Sequence, residues 1–170
     1  MPTSTPPPLD GSIVEDAFNL SNFMDGVLDR VRQVYASYNV PLPARQYWTF
    51  GEPAYDCEQV VVSFINLYLG PPGDEANRPV KCNQPRTAVV RISVVRQTVV
   101  QQGTKAPKAQ DIEDSARWQA LDAWILIESN QLFDNWDEFA NGPGVIATIT
   151  AGTASGGYQE VSMQLTITVP

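Results

Sequence analysis

The sequence predicts an α+β domain: a mostly antiparallel twisted sheet flanked by two long helices, in the order α-β-β-β-α-β-β. Three observations carry this. Two long segments have apolar residues at helical spacing. β-branched runs fall into a group of three between those segments and a group of two after them. The last run alternates apolar and polar residues cleanly. Grouped strands and helices, as opposed to strict alternation, favour helices packed on an antiparallel sheet. The chain has 170 residues, enough for one domain, and its organisation reads as an arm over 1–11 followed by a single domain over 12–170.

The arm, MPTSTPPPLDG, contains three consecutive prolines, which favour an extended polyproline conformation. It is either a tail or an arm draped over a neighbour. It has no basic start and no apolar stretch, so a secretory signal is not expected. No run of about 18 apolar residues occurs, so no membrane span is expected either, and the chain is expected to act in a cytosol.

Ser12-Ile13-Val14-Glu15 has capping-box spacing. From there Ile13, Ala17, Leu20, Met24, Val27, Val31, Tyr35 and Tyr38 form one stripe, which predicts a single long helix ended by Asn39, Pro41 and Pro43. Strands are predicted over 46–50, 58–69 and 87–100. The intervening GPPGDEANRPVKCNQP, residues 70–85, is too long and proline-rich for a tight turn and reads as a functional loop. A polar loop over 101–110 leads to a helix over 111–130. That helix is apolar on two sides: Ile112, Ala116, Ala120, Ala123 and Ile127 share one face, and Trp118, Leu121, Ile125 and Leu132 share nearly the opposite one. Such a helix needs cover on both sides, one from the sheet and the other from the first helix or a neighbouring subunit. Residues 133–143 read as an irregular aromatic connection, followed by strands over 144–151 and 158–169. In the last strand Val161, Met163, Leu165, Ile167 and Val169 are expected to face the core.

The chemistry is defined by what is scarce. The chain has no histidine and two cysteines, which removes the usual residue for proton shuttling, Ser/His nucleophiles and most zinc sites. Ser63 and Ser93 have no imidazole to activate them. Asp111, Glu113 and Asp114 read as first-turn acids that complement the helix dipole. Asp134, Asp137 and Glu138 flank Trp136 without any inferable general-acid environment. Asp74 and Glu75 lack the spacing of a calcium loop. Cys57 and Cys82 have no metal-ligand spacing and read as free thiols or, less simply, as a disulfide pair. Trp118 and Trp124, on the helix expected to be buried, read as core residues, so that Trp124→Ala is expected to remove a large buried side chain. No catalytic residue, metal or cofactor is expected. The formal charge of −8, from 19 acidic and 11 basic residues, with no Lys/Arg cluster, argues against specific nucleic-acid binding. It suits a surface that DNA passes without sticking.

One set of segments resembles a known family. It comprises Ala44-Arg45-Gln46-Tyr47, Gly51-Glu52-Pro53-Ala54-Tyr55-Asp56-Cys57-Glu58-Gln59-Val60, Tyr68-Leu69-Gly70-Pro71-Pro72-Gly73-Asp74-Glu75-Ala76-Asn77, Pro85-Arg86-Thr87-Ala88-Val89, Gly144-Val145-Ile146-Ala147 and Gly156-Gly157-Tyr158. Together these resemble the tail terminator proteins of long-tailed phages that infect actinobacteria, over most of residues 12–170. The resemblance implies a six-fold ring of identical copies that caps the tail tube, ends its polymerisation and joins it to the head-side connector, with DNA passing through the centre. Implied partners are other copies of the chain, the major tail tube protein and the head-side connector or stopper protein. The implied location is the tail–neck joint of a virion assembled in the host cytoplasm. On this reading Pro71, Pro72, Asp74, Glu75, Asn77 and Arg78 are candidate partner contacts. Arg91, Arg96, Trp118 and Leu121 are candidate ring contacts, with the two arginines expected to meet acids of a neighbouring subunit. The alternatives are another head–tail connector, a glycan- or ligand-binding module built on 133–139 and the 70–85 loop, and a cell-wall hydrolase using Asp134 or Glu138.

Overall fold

A computed structural model describes residues 18–73, 85–99, 106–134, 136, 146–152 and 157–169, with the backbone alone at 131, 132 and 134. The described elements are α1 (Leu20–Ser37), β1 (Arg45–Thr49), β2 (Gln59–Leu69), β3 (Arg86–Gln97), α2 (Ala109–Asp134), β4 (Ile146–Gly152) and β5 (Tyr158–Val169). The five strands form one sheet in the order β1-β2-β3-β5-β4. The domain is α+β with the predicted order of elements, but its sheet is mixed: β1 runs parallel to β2, and the other three neighbouring pairs are antiparallel.

The α1 helix starts later than the apolar stripe suggests. The Asn19 side chain accepts the amide of Asn22 at 3.1 Å and caps the helix. Phe18 and Asn19 are not helical, so a continuous helix from Ser12 is corrected at this point, and the Ser12–Glu15 capping box lies outside the described residues. The buried face consists of Phe23, Met24, Val27, Leu28, Val31, Val34 and Tyr35. Termination follows the Schellman pattern. Asn39 takes a left-handed conformation at φ 54, its amide bonds to Ala36 O, and the amide of Val40 bonds to Tyr35 O, both at 3.0 Å.

Parallel pairing of β1 and β2 was not predicted. Its cause is the connection over 50–58, which does not make a hairpin but returns across the sheet face opposite the helices. There the Ser63 hydroxyl donates to Gly51 O at 3.1 Å, Gln59 donates to Ala54 O, and Tyr158 donates its hydroxyl to Asp56 O at 3.0 Å. A return of this kind brings the second strand up in the same direction as the first. It also explains why Gln59, Val61, Ser63, Ser93 and Val95 are buried on the face that carries no helix.

Both helices lie on the other face. α1 packs over β1 and β2, and α2 over β4 and β5. Between helices and sheet sit Val60, Val62, Ala88, Val90, Ile92, Val94 and the inward residues of β5, Val161, Met163, Leu165, Ile167 and Val169, as their alternation predicts. The helices run antiparallel: Tyr35 and Tyr38 meet Asp122 and Trp124 at one end, and Phe23 meets the chain after α2 at the other.

Trp136, just beyond α2 in the predicted aromatic connection, is a core residue. Trp136 is 2% exposed. It stacks on Phe23 with centroids 5.5 Å apart, and the Arg30 guanidinium lies 3.7 Å above its ring. Gly26 leaves the slot for it: a Cβ there would lie 2.6 Å from Trp136 Cζ2. Trp124, expected in the core, is 44% exposed and rests edge-on against Tyr38. The large buried indole is Trp136, because α2 turns a different side inward from the one that carries Trp124.

These contacts invert a general rule. An alanine inside a helix is normally more stabilising than glycine by about 1 kcal/mol, but Gly26→Ala is expected to destabilise by about 1–3 kcal/mol through overpacking. Trp136→Ala is expected to cost about 3–5 kcal/mol, and the exposed Trp124→Ala clearly less. Urea unfolding midpoints of the three variants check this order.

Candidate assembly surface

The rotation of α2 about its axis is fixed by a buried ion pair together with the apolar residues on the same side. Arg96 of β3 points to the helix face of the sheet and is buried. Its Nε donates to Asp122 Oδ2 at 2.6 Å and its Nη2 to Asp122 Oδ1 at 3.0 Å, a bidentate pair, while Nη2 also donates to Pro41 O at 3.0 Å. Tyr35 of α1 completes the set by donating its hydroxyl to Asp122 Oδ1 at 3.0 Å. Burial, and secondarily the Asp122 carboxylate, push the Tyr35 hydroxyl far up, so it acts as a donor at all ordinary pH. The Trp118 ring caps the guanidinium at 4.1 Å. Three elements, α1, β3 and α2, therefore meet at one carboxylate.

Asp122 and Ser129, together with Ile125, Leu126 and Phe133, form the buried side of α2. The stripe Ile112, Ala116, Ala120 and Ile127 is consequently turned outward. Ile112 is 53% and Ile127 54% exposed, and Trp124 and Tyr38 extend the surface toward α1. The expectation of a helix apolar on two sides is met in this form: the sheet and α1 cover one side, and within the described residues nothing covers the other. Charge borders this face, with Glu113, Asp114 and Glu128 against Arg117, the only cation in α2. Arg117 is paired with Glu113 at 2.6 Å. Of the three acids expected in the first turn only Asp111 lies there, because the helix begins at Ala109.

The predicted ring contacts are placed as follows. Arg96 is committed within its own chain to Asp122. Arg91 points to the opposite sheet face and pairs with Glu52 at 3.2 Å. Trp118 covers Arg96, and Leu121 is half-buried against the core. The structure does not bring these four together on one surface. Ile112, Ala116, Ala120 and Ile127, which the sequence reads as one face of the helix, are the ones that face outward. Among the predicted partner contacts, Pro71 accepts from Tyr68 at 3.3 Å and Pro72 is beside it, whereas Asp74, Glu75, Asn77 and Arg78 lie outside the described residues. The stem of that loop is closed: the Gly70 amide donates to Pro85 O at 2.8 Å and the Thr87 hydroxyl to Gly70 O.

A second polar cluster lies on the helix-free face. Glu160 accepts from Ser93 Oγ at 2.6 Å and from the Tyr55 hydroxyl at 2.9 Å. This latches the 50–58 connection to β3 and β5. Cys57 is a free, half-buried thiol whose sulfur accepts from Arg45 at 3.3 Å; Cys82 is outside the described residues. Asp137 and Glu138 are also outside them, as is the side chain of Asp134, and Trp136 is too deeply buried to serve as a sugar platform. Among the described residues, no group of three potential metal ligands occurs, and no helix is long and apolar enough to cross a membrane. Comparison with the models of known protein families and with curated proteins found no match.

Two measurements test the clusters. Asp122→Ala leaves a buried guanidinium uncompensated and is expected to cost about 3–5 kcal/mol, against about 1–2 kcal/mol for Tyr35→Phe, read from chemical unfolding. The second concerns pH. Burial, then the hydrogen bond to Glu160, push the Tyr55 hydroxyl from 10.0 up to about 12. The unfolded chain loses this proton near pH 10 and the native chain holds it longer, so the stability it contributes is complete below pH 10 and is lost as pH rises toward 12. Tyr55→Phe is expected to flatten the alkaline fall in unfolding midpoint, with Tyr35 supplying the slope that remains.

Proposed function

We propose that this chain is a structural protein that assembles into a closed ring of identical copies and serves as a tail terminator at the neck of a long-tailed phage. The observation that carries this reading is the outward apolar stripe of α2. A stripe of this kind marks an interaction surface, and one kind of contact repeated around an axis closes a ring when the rotation permits. The resemblance of the 44–60, 68–77, 85–89, 144–147 and 156–158 segments supplies the station: capping the tail tube, ending its growth and meeting the head-side connector. The charge balance is consistent with DNA passing through. With Arg91 and Arg96 both engaged by acids of their own chain, neither offers a free cation to phosphate.

Native mass spectrometry of the full chain, together with particle images of virions, tests the reading. A single closed oligomer, hexameric on this proposal, is expected, and a strictly monomeric state inside the particle would sink it. The 70–85 loop gives a separate test. Its closed stem means that shortening it should leave a folded protein but yield unjoined heads and tails or overlong tails. Normally joined particles would remove the loop from the partner surface.

A further inference from the structure

The sheet has two open edges. β1 and β4 are its outermost strands, and among the described residues no strand lies beyond either. β4 reads IATITAG, with β-branched Ile146, Thr148, Ile149 and Thr150, no charge and no proline, and its register with β5 is unbroken by any bulge. Charge, proline and bulges are the usual devices that protect an edge from further pairing, and β4 has none of them. β1 carries one charge, Arg45, which is paired with Asp56 at 2.9 Å. Apolar side chains accompany both edges on the helix side. Gln119 of α2 donates to Gly152 O of β4 at 3.3 Å, whereas Trp124 meets Tyr38 of α1. At about 100° per residue, Ile112, Ala116, Ala123 and Ile127 lie within about 80° of Gln119, on the flank of α2 that looks past β4 and away from α1. At the other edge Trp48 of β1 packs on the core from the helix side, and Phe50, just past β1, meets its ring and is 66% exposed.

We propose that copies of this chain join edge to edge, β4 of one copy pairing antiparallel with β1 of the next, so that one continuous sheet runs round the ring. This rests on the ring reading above and names the contact that would build it. The sheet itself selects a second copy as occupant. Its open edges stand at opposite ends of the strand order, the arrangement a heterologous contact requires. β1 is parallel to β2 and each later neighbour reverses, so β4 runs opposite to β1. A next copy that continues the sheet with its helices on the same side therefore brings its β1 antiparallel to β4. The apolar flank of α2 is then turned toward the helix side of that β1, where Trp48 and Phe50 lie. Pairing of β4 with β4 would leave both β1 edges open, whereas head-to-tail closure leaves no edge at all. Size agrees: with strands along the ring axis, six five-stranded sheets at about 4.8 Å per strand close at roughly 45 Å between opposite backbones, room for duplex DNA.

Hydrogen exchange of the full chain, read by mass spectrometry above and below the concentration at which it assembles, tests the pairing. Amides over 45–49 and 146–152 are expected to slow together on assembly, by about tenfold or more. A variant carrying both Thr148→Lys and Thr150→Lys, at exposed positions on the helix-free face, puts charge on the β4 edge. With thermal melting confirming that it folds, it is expected to need about a tenfold or higher concentration to assemble and to be monomeric below that. Slowed exchange in β4 without β1, or a variant that still dimerises at low concentration, would indicate two-fold pairing and overturn the proposal. A wild-type ring in which neither segment slows would overturn the edge pairing and leave the ring reading standing. Open fibres slowed at both edges would support the pairing and defeat the ring. A wild-type chain that stays monomeric at every concentration tried would defeat both.

Discussion

The buried pair between Arg96 and Asp122 is the constraint on which the rest of the architecture depends. A carboxylate and a guanidinium moved out of water are tolerated only when nearly every hydrogen-bonding position is filled. Here Asp122 accepts from Arg96 twice and from Tyr35 once, and Arg96 also reaches Pro41 O. Filling those positions draws on α1, the α1–β1 turn, β3 and α2 together. A helix held only by apolar packing can slide or rotate by a fraction of a turn at small cost. One held by a bidentate pair and a phenol cannot, because any rotation leaves a buried charge without its partner.

That constraint adds to the packing of Ile125, Leu126 and Phe133 in fixing which side of α2 faces the sheet. Its buried side contains Asp122 and Ser129, and its outer side contains Ile112, Ala116, Ala120 and Ile127. Ile125, Leu126 and Phe133 bury the same side as Asp122, so apolar packing and the ion pair favour one orientation, and Ile112 and Ile127 are left outside. Rotating the helix would both break the ion pair and expose that apolar side. The domain therefore keeps a stripe of apolar surface that its own core does not use, and that stripe is the physical basis for assigning an assembly role.

Much of this was legible from spacing. β5 has the predicted bounds, β2 and β3 start within a residue of theirs, and the inward residues of β5 follow directly from a two-residue alternation. What was not legible depends on contacts between residues distant in sequence. Parallel pairing of β1 follows from how residues 50–58 are latched to Ser63 and Glu160, and no local pattern reports that. The break before Leu20 depends on one Asn19 side chain outweighing a stripe that continues past it. Arg96 reads as a contact to an acid of a neighbouring subunit, and its partner is in its own chain, 26 positions away. The core role of Trp136 needed the space at Gly26, a relation between two segments that only the fold brings together.

The two sheet faces divide the work. The helix-free face is closed by the chain itself: the 50–58 connection, held by Glu160, Ser63 and Gln59, seals the backs of β2 and β3. Routing that connection across the back makes β1 parallel and short, and a short β1 leaves the end of β2 uncovered. The exposure of Phe50, Leu67 and Leu69 is thus a consequence of where the latch sends the chain. That is how a chain without histidine can be specific: its buried polar groups fix where its unburied apolar groups point.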